Sequence, residues 1–493
     1  MDAVLNRRYV LGAALCLCAG VLTGAFLQTS LILRIVIPIA TAAVGILLLF
    51  GKKKFLFCAF LCFALGVSVL SADYAVALSD RTEGLYVFEG RVAGTDERTV
   101  VFDELTFDQS AVKGKARGER EDFSEVQEGQ IIKVFVEATR YEVDWTDFGS
   151  TSRFNDRVYY HLTPYGEQVT TGEKKNVFEK IRDRVKGPLS RYCAAEDAGI
   201  AESLLFGDKS DLSESDEAVI NGIGMSHVFA VSGLHVGFLT AAVAFVLKRL
   251  RIKPLPRLVA TALLLLVYGF LTGFPAGLKR AAIMTLLYML APIVRGKSDA
   301  PTSLGAACFV IVLTNPRELF DLGFLMSVSA VAGILLFTRP IAKGLRNVLR
   351  AKNLGRVCDG VALTVGSNIL LFPILCDVFG KIALFAPVSN VLLLPVVTLT
   401  YTYIAVVAFL TAIIPYFGVL FFPIKYPILL IRGVGSLLAS VPFSTISVPA
   451  LGAWWILYIF GWLFLCRLNK LPKKWKIPLG AICILTSGVG FFL

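Results

Sequence analysis

The chain has 493 residues, of which 56% are apolar and only 17% are charged, and its formal net charge is +12. Soluble domains carry about a quarter charged residues, so this composition excludes a soluble enzyme, a disordered chain and a fibre. It indicates a helical protein that crosses a membrane several times and has a small water-exposed part.

The first 79 residues hold three apolar runs, at 9–27, 31–50 and 55–72. Basic clusters at Arg7-Arg8 and Lys52–Lys54 flank them, and such clusters stay preferentially in the cytoplasm. The first run is too long for the apolar core of a signal peptide and is followed at once by more apolar sequence. We predict three retained spans, a cytoplasmic N-terminus and an extracytoplasmic position for the segment that follows.

The segment 80–173 differs from its surroundings in pattern and in charge. Residues 80–172 contain 11 basic and 19 acidic residues, a net charge of −8, whereas the rest of the chain carries +20. Short β-rich runs that begin at Leu85, Thr99 and Gln130 are separated by glycines. Several short strands in one segment predict a small β-barrel, which hides its strand edges by closing.

The segment 174–206 interleaves basic and apolar residues at helical spacing. Apolar residues recur near i, i+4 and i+8, as in Val177, Ile181 and Val185, and lysines and arginines occupy the other faces. The pattern predicts one amphipathic basic helix that lies on the outer membrane interface.

Apolar runs dominate the segment 207–493. Several runs are short or broken by glycine or proline, which is tolerated only where helices are packed in protein or line an aqueous cavity. We predict that this segment is the main transmembrane domain. Its expected spans or half-spans are 219–247, 257–272, 280–294, 302–314, 319–338, 360–379, 384–412, 415–440, 449–467 and 477–493.

Two stretches of this domain are unusually polar. Asn221–Gly237 contains four glycines, two serines and two histidines in an otherwise apolar run. Gly273–Met284 places Lys279 and Arg280 where a helix is expected to begin after a Pro/Gly break, although a helix N-terminus and a bilayer both disfavour cations. Two cations in this position indicate a candidate anion site, and snorkelling to the interface is the alternative.

Three further polar side chains interrupt apolar runs, at Ser327, Asn368 and Asn390. All of these polar residues have two interpretations. They either make interhelical hydrogen bonds in tightly packed helices, or they line a wet path for a substrate. The residue pattern leaves both interpretations open.

An ordered set of motifs resembles the ComEC family of DNA-internalisation proteins. The set comprises Gly207-Asp-Lys, Gly224–Gly237, Asp321–Gly333 and Phe385–Asn390. The resemblance covers essentially the whole chain. It implies a polytopic α-helical membrane protein with an inserted small extracytoplasmic OB-like β-barrel domain, and a membrane domain that passes one DNA strand into the cytoplasm during natural transformation.

The resemblance also implies a set of DNA contacts. The expected path through the membrane is lined by His227, Ser232, His235, Lys279, Arg280, Ser327, Asn368 and Asn390. The acidic net charge of the insert opposes a polyanion, but a local basic and aromatic strip would suit single-stranded DNA. A structural or partner-binding role of the domain is the alternative. The strip comprises Arg91, Lys113, Lys115, Arg117, Tyr141 and Trp145. Further implied partners are the lipid bilayer, an extracytoplasmic DNA receptor and a cytoplasmic helicase-type motor.

The sequence departs from the family pattern in one respect. The family often carries a C-terminal metallo-β-lactamase-like domain, but no His-x-His-x-Asp-His occurs here and the chain has three histidines in all. We therefore expect that this chain lacks that domain, holds no metal or cofactor, and is not an enzyme. The expected location is the bacterial cytoplasmic membrane.

Two other classes of function stay open. Ser232 and His235 lie three residues apart, as an intramembrane serine hydrolase could use them, although Ala230 stands where such a motif has glycine. A secondary transporter of small solutes would also use broken helices at mid-membrane. It would need an acidic coupling residue deep in a span, and Asp321 and Asp377 lie near the ends of runs.

Overall fold

The computed structural model describes residues 9–26, 41, 61–70, 83–95, 98–123, 126–141, 153, 157–209, 211–229, 231–294, 299–349, 355–442, 444–449, 458–459 and 462. The chain divides into two compact units. The barrel unit comprises Tyr9–Ile181 and Gly305–Leu325, and the helical unit comprises Met1–Arg8, Arg182–Leu304 and Met326–Leu493.

A closed barrel forms the strand-rich part of the barrel unit. Its strands are β1 (Gly84–Thr95), β2 (Thr99–Phe107), β3 (Ser110–Ala111), β4 (Lys115–Glu119), β5 (Gln130–Arg140) and β6 (Val158–Glu173). Five strands pair in a ring in the order β1-β5-β6-β4-β2, which closes because β2 also pairs with β1. Only β4 and β6 pair in parallel within this ring. The closed five-stranded order confirms the predicted OB-like barrel.

Aromatic side chains fill the barrel because alternate residues of each strand point inward. Phe88, Phe102, Phe107 and Tyr160 are almost completely buried. The rings of Phe88 and Phe102 meet edge to face with centroids 5.2 Å apart, and those of Phe107 and Tyr160 do so at 5.5 Å. Burial of each such side chain stabilises the fold by about 1.5–3 kcal/mol, so this core can hold a short barrel closed.

Two N-terminal helices of the barrel unit pack through glycines. They are α1 (Tyr9–Phe26) and α2 (Leu61–Leu70). A Cβ added to Gly20 would overlap the carbonyl of Phe63, and one added to Gly66 would overlap that of Leu17. Small residues at such crossings allow close backbone approach in membranes. The predicted span at 9–27 forms a helix, whereas the span at 31–50 lies outside the described residues apart from Thr41.

Helices make up the rest of the described chain. They are α3 (Val177–Tyr192), α4 (Ala195–Phe206), α5 (Glu214–Gly222), α6 (Gly233–Arg249), α7 (Pro254–Thr272), α8 (Ala276–Leu290), α9 (Ala300–Thr314), α10 (Leu322–Leu349), α11 (Gly355–Ile374), α12 (Ala386–Ile413) and α13 (Lys425–Ala439). 3-10 helices precede α10 and α13, at Pro316–Phe320 and Pro415–Ile424. A π-helical turn, Leu375–Phe379, extends α11, and two short strands pair, β7 (Lys381–Ala383) with β8 (Thr445–Ser447).

Five helical segments of the described chain are long and apolar enough to cross a membrane. They are Pro254–Thr272, Leu322–Val348, Gly355–Phe379, Ala386–Ile413 and Pro415–Ala439. Together with the barrel, these segments make the chain a polytopic membrane protein with an inserted barrel domain, as the sequence predicts. The expected spans 449–467 and 477–493 lie outside the described residues, except for Tyr458, Ile459 and Trp462.

The segment 174–206 forms two helices, where the sequence predicted one. The break falls at Ala194, whose backbone is extended. Helix α3 buries Val185 and Leu189 and exposes its charged face, whereas α4 is buried from Ala198 through Phe206. The amphipathic pattern therefore belongs to α3 alone, and α4 is part of the core of the helical unit, together with residues of α12.

The expected run 219–247 is also interrupted. Helix α5 ends at Gly222 and α6 begins at Gly233, so the described residues between them, 223–229 and 231–232, lie outside both helices. Gly224 in this connection has φ +73°, a conformation that other residues rarely adopt. The unusual stretch of glycines, serines and histidines is thus the place where the chain leaves one helix and starts the next.

Candidate functional site

His235 closes the start of α6. The backbone N–H of Ser232, the residue before the helix, donates to Nδ1 of His235 at 3.2 Å. Because Nδ1 accepts this hydrogen bond, the imidazole is neutral and carries its hydrogen on Nε2. His235 is 1% exposed, and its ring lies against the ring of Tyr401 in α12, with centroids 4.2 Å apart.

Arg280 lies in the second turn of α8, which begins at Ala276 directly after Pro275, as the Pro/Gly break predicts. The side chain is buried, and its Nε donates to Oγ of Ser327 in α10 at 2.7 Å. Lys279 is half-buried beside it. The second polar stretch and the Ser327 position are therefore joined directly, although 47 residues separate them.

Glycines bring the starts of α6 and α8 together. A Cβ added to Gly233 would lie 3.0 Å from Nη2 of Arg280, and one added to Gly277 would lie 3.3 Å from the carbonyl oxygen of Val231. The positive ends of two helix dipoles consequently meet beside one guanidinium group. We refer to Ser232, His235, Arg280 and Ser327 as the polar cluster.

One atom of the polar cluster lacks the partner that buried polar atoms normally have. Ser232 and His235 form a capping box at the start of α6, whereas Nε2 of His235 is shielded from solvent and makes no hydrogen bond to any described residue. More than nine in ten buried polar groups are hydrogen-bonded in proteins. The ring of His235 therefore keeps one buried donor whose partner does not lie among the described residues.

The other expected path residues lie around this cluster or on neighbouring helices. His227 is exposed in the connection after α5, with Nδ1 3.2 Å from the carbonyl oxygen of Gly224. Asn368 is half-buried on α11. Asn390 is half-buried on α12 and donates through Nδ2 to Oγ1 of Thr364 on α11 at 3.3 Å. The polar cluster therefore unites four of the eight expected residues, and Asn390 makes an interhelical hydrogen bond.

Sequence reasoning missed Ser389 and Tyr401. Oγ of Ser389 donates to the carbonyl oxygen of Ile223 at 2.7 Å and so fastens the start of α12 to the connection after α5. Tyr401 forms the wall behind His235. The signal available in the sequence was the group of threonines and tyrosines at 398–403 within an apolar span.

The other family-like motifs have structural roles. Gly207 ends α4 with φ +76°, and the carboxylate of Asp208 pairs with Arg182 and Lys186 of α3. In the barrel unit, Oδ1 of Asp321 accepts the backbone N–H of Phe324 at 2.7 Å and caps α10. These contacts fix the ends of helices.

Arg91 of the expected barrel strip is held in an ion-pair network. Its guanidinium donates to both carboxylate oxygens of Asp103 at 2.9 and 2.7 Å, and it pairs with Glu179 at 3.0 Å. The hydrogen bonds to Asp103 and then those to Glu179 raise the pKa of Arg91, despite the opposing effect of burial. The side chain is 11% exposed, so within the barrel unit Arg91 is held between Asp103 of β2 and Glu179 in the first turn of α3.

Tyr141 of the expected strip lies beside a cation and a second aromatic ring. The guanidinium of Arg153 lies 4.7 Å from the Tyr141 ring centroid, and the ring of His161 lies 5.9 Å away. Arg117 on β4 lies opposite His161 on β6 in the strand register. Lys115 is half-buried on β4, and Lys113 is exposed. Trp145 lies outside the described residues. Arg153 and His161 are thus additions to the strip that the sequence did not indicate.

Comparison with known proteins gives one family match. A family model described as Competence protein matches residues 204–472, more than half of the chain and the part that contains the polar cluster. No solved structure matches the chain.

Three relatives share low identity with the chain. The ComE operon protein 3 of Bacillus subtilis is 24% identical over 59% of this chain, the Competence protein ComA of Neisseria gonorrhoeae is 24% identical over 40%, and the Recombination protein 2 of Haemophilus influenzae is 25% identical over 29%. The aligned parts span 37%, 28% and 19% of the lengths of these relatives, respectively.

Proposed function

Because the chain belongs to the Competence protein family, we propose that its membrane domain passes single-stranded DNA into the cytoplasm during natural transformation. The polar cluster carries this proposal. It places an arginine, a neutral histidine and two serines where three helices approach one another within a membrane domain. A DNA strand carries one negative charge per nucleotide, so a path for it must be polar and must not be strongly acidic.

The names of the relatives support a role in DNA uptake. One relative is named for competence and another for recombination. The interrupted helices around residues 223–232 and at Pro275 add physical support, since non-helical backbone at membrane depth occurs where it is packed in protein or lines a cavity. We propose that the basic and aromatic strip around Tyr141, Arg153 and Arg117 in the barrel unit makes the first contact with DNA.

The geometry favours transport over catalysis. A serine hydrolase needs a hydrogen bond between serine Oγ and a histidine nitrogen. Here Nδ1 of His235 accepts from the backbone N–H of Ser232, and among the described residues no hydrogen bond joins Oγ of Ser232 to the His235 ring. We therefore propose no catalytic step for this chain. A solute transporter is less favoured, since Asp321 acts as a helix cap.

We propose that the protein resides in the bacterial cytoplasmic membrane, with its N-terminus in the cytoplasm and the barrel outside. The basic clusters support this orientation, because Arg7-Arg8 and Lys52–Lys54 flank the first apolar runs and such clusters stay preferentially in the cytoplasm. A DNA receptor outside and a helicase-type motor inside are the partners that such a path would need.

Reconstitution tests the proposed function. The full chain is placed in proteoliposomes, a fluorescent single-stranded oligonucleotide is added outside, and the fraction protected from an added nuclease is measured. We expect protection above that of protein-free liposomes, and we expect Lys279→Gln/Arg280→Gln to remove most of it. The control is Lys343→Gln/Arg346→Gln, which removes two exposed cations from the same domain.

Two results would contradict the proposal. One is protection equal to that of empty liposomes, and the other is equal protection by the two double variants. Uptake of small solutes in the same liposomes, without any effect on DNA, would establish the transporter instead.

A further inference from the structure

We propose that the barrel unit binds the phosphodiester backbone of DNA through a group of cations, and so accepts duplex DNA as well as single strands. We refer to these cations as the cationic strip, which comprises Lys113, Lys115, Arg117, Arg153 and Arg157. The inference rests on the proposed function, in which the barrel makes the first contact with DNA. It goes further by naming phosphate groups, and not stacked bases, as the feature that the barrel recognises.

Pairing of β4 with the start of β6 brings three of these cations together. Lys115 and Arg117 alternate with the buried residues Ala116 and Gly118 on β4, so both cations lie on the outer face of the barrel. The backbone N–H of Lys115 donates to the carbonyl oxygen of Arg157 at 2.7 Å, directly before β6 begins. The strand pairing therefore fixes the cations on one side of the barrel.

The cationic strip lacks the ion pairs that other cations of the barrel unit make. Arg91 pairs with Asp103, and Lys174 pairs with Glu104. Among the described residues, none of the strip cations makes an ion pair. The carboxylate of Glu119, at the end of β4, lies near the strip and offsets one of its charges. Because the barrel segment as a whole is acidic, this local excess of positive charge indicates a surface that suits an anion.

Tyr141 holds a cation of the strip where a single-strand reader would stack a base. The guanidinium carbon of Arg153 lies 4.7 Å from the centroid of the Tyr141 ring and covers one face of it. Nε of Arg153 is shielded from solvent and makes no hydrogen bond to any described residue. Burial raises the pKa of the Tyr141 phenol, and the charges of Arg117 and Arg153 oppose this rise, so both cations lie close to it. Tyr141 is therefore a positioning residue for Arg153.

This arrangement recognises the charge of DNA and not its strandedness. Contacts to phosphate carry no sequence information, and sequence-neutral readers of single strands stack bases on open aromatic rings. The Tyr141 ring is half-buried and already carries Arg153. Duplex DNA has the higher charge density, with one charge per about 1.7 Å of its axis. We therefore expect the strip to bind a duplex at least as tightly as a single strand.

The salt dependence of binding tests the phosphate contacts. The full chain is placed in nanodiscs of phosphatidylcholine, and the affinity for a fluorescent mixed-sequence oligonucleotide and for its duplex is measured by anisotropy at several salt concentrations. In Arg117→Gln, the slope of log affinity against log salt should become shallower by about 0.9 for the duplex and about 0.7 for the single strand, since one phosphate contact is lost. Lys133→Gln is the matched control, because Lys133 is exposed on β5 and lies outside the strip. It should keep the slope of the unaltered protein.

Two substitutions of Tyr141 separate positioning from stacking. Tyr141→Phe keeps a ring beneath Arg153 and should bind both forms of DNA as the unaltered protein does. Tyr141→Leu releases Arg153, and it should weaken binding of the duplex and of the single strand by the same factor, about two- to fivefold. A stacking residue would instead lose affinity for the single strand alone.

The proposal is overturned by an unchanged slope in Arg117→Gln. It is also overturned if the single strand binds more than about tenfold tighter than the duplex, or if Tyr141→Leu affects only the single strand, because bases would then be stacked. Weaker binding of Arg117→Gln to phosphatidylglycerol vesicles, with DNA binding unchanged, would assign the strip to lipid headgroups and overturn it too. Strip-dependent binding of DNA without nuclease protection in proteoliposomes would leave the strip standing and remove the channel, whereas protection with an unchanged slope would do the reverse.

Discussion

Gly224 and Gly237 belong to the same polar stretch but have different surroundings. Gly224 has φ +73°, and a Cβ added to it would lie 2.9 Å from the Cβ atoms of both Ala383 and Ala386. Gly237 lies within α6, and a Cβ there would meet only open space. The fold therefore requires glycine at the first position and not at the second.

The substitution Gly224→Ala is expected to destabilise the protein. A left-handed backbone costs a non-glycine residue about 1–2 kcal/mol, and the clash with the start of α12 adds to this. Gly237→Ala should leave stability unchanged or raise it by up to about 1 kcal/mol, since alanine favours the helix. Thermal unfolding of both variants in one detergent checks this. An equal loss in both would show that the backbone conformation at Gly224 is not required.

For single residues, the sequence indicated which ones are unusual but not which other residues they contact. Arg91 was predicted to bind DNA, yet it pairs with Asp103 of the neighbouring strand and with Glu179 of α3. Its partners lie 12 and 88 residues away. Ser327 and Arg280 were singled out separately, and only the packing of α8 against α10 joins them. Contacts at such separations leave no local pattern.

The elements were predictable where a periodic pattern persists. The β-rich runs at Leu85, Thr99 and Gln130 are the strands β1, β2 and β5. Prediction failed where the chain is apolar on both sides of a break, as at residues 223–232 and at Ala194. One continuous apolar helix and two shorter helices packed together have the same apolar composition. The position where a helix ends is therefore set by packing, which the sequence pattern does not show.

The contact between β6 and the 3-10 helix at Pro316–Phe320 also depends on packing that no local sequence pattern shows. Both elements belong to the barrel unit. Tyr159 of β6 accepts a hydrogen bond from Nη1 of Arg317, and its ring centroid lies 5.5 Å from the guanidinium carbon. Arg317 is 3% exposed. A hydrogen bond to a buried charged group contributes about 1.5–3 kcal/mol, so this contact holds the turn before α10 against the barrel.

The variant Tyr159→Phe is expected to loosen that turn while the ring contact with Arg317 remains. Backbone amides of residues 317–320 should exchange hydrogen about ten- to hundredfold faster, as the loss of one charge-assisted hydrogen bond implies. Tyr165→Phe is the control, because Tyr165 also lies on β6 but bonds the exposed carboxylate of Glu137. Unchanged exchange in Tyr159→Phe would mean that other contacts of Arg317 hold the turn.

For the molecule as a whole, the distribution of charge along the apolar helices bears on the orientation of the chain in the membrane. The barrel segment carries −8 and the remainder +20, and basic residues cluster at the ends of apolar helices, as at the end of α10. Cytoplasmic loops are enriched in lysine and arginine, whereas acidic residues have little influence on orientation. We therefore expect the basic end of α10 to face the cytoplasm, as the proposed orientation requires.

Cysteine accessibility tests this orientation. The sequence has no cysteine between Cys62 and Cys193, so Ser110→Cys on the exposed strand β3 introduces a single thiol into the barrel. Asn347→Cys introduces one at the exposed, basic end of α10. A membrane-impermeant maleimide should label the Ser110 variant in intact cells from which any outer barrier has been removed. It should label the Asn347 variant only after the membrane is permeabilised, and the unaltered protein supplies the background. Labelling of Asn347 before permeabilisation, with Ser110 protected, would invert the arrangement and place the acidic barrel in the cytoplasm, where it could not meet incoming DNA first.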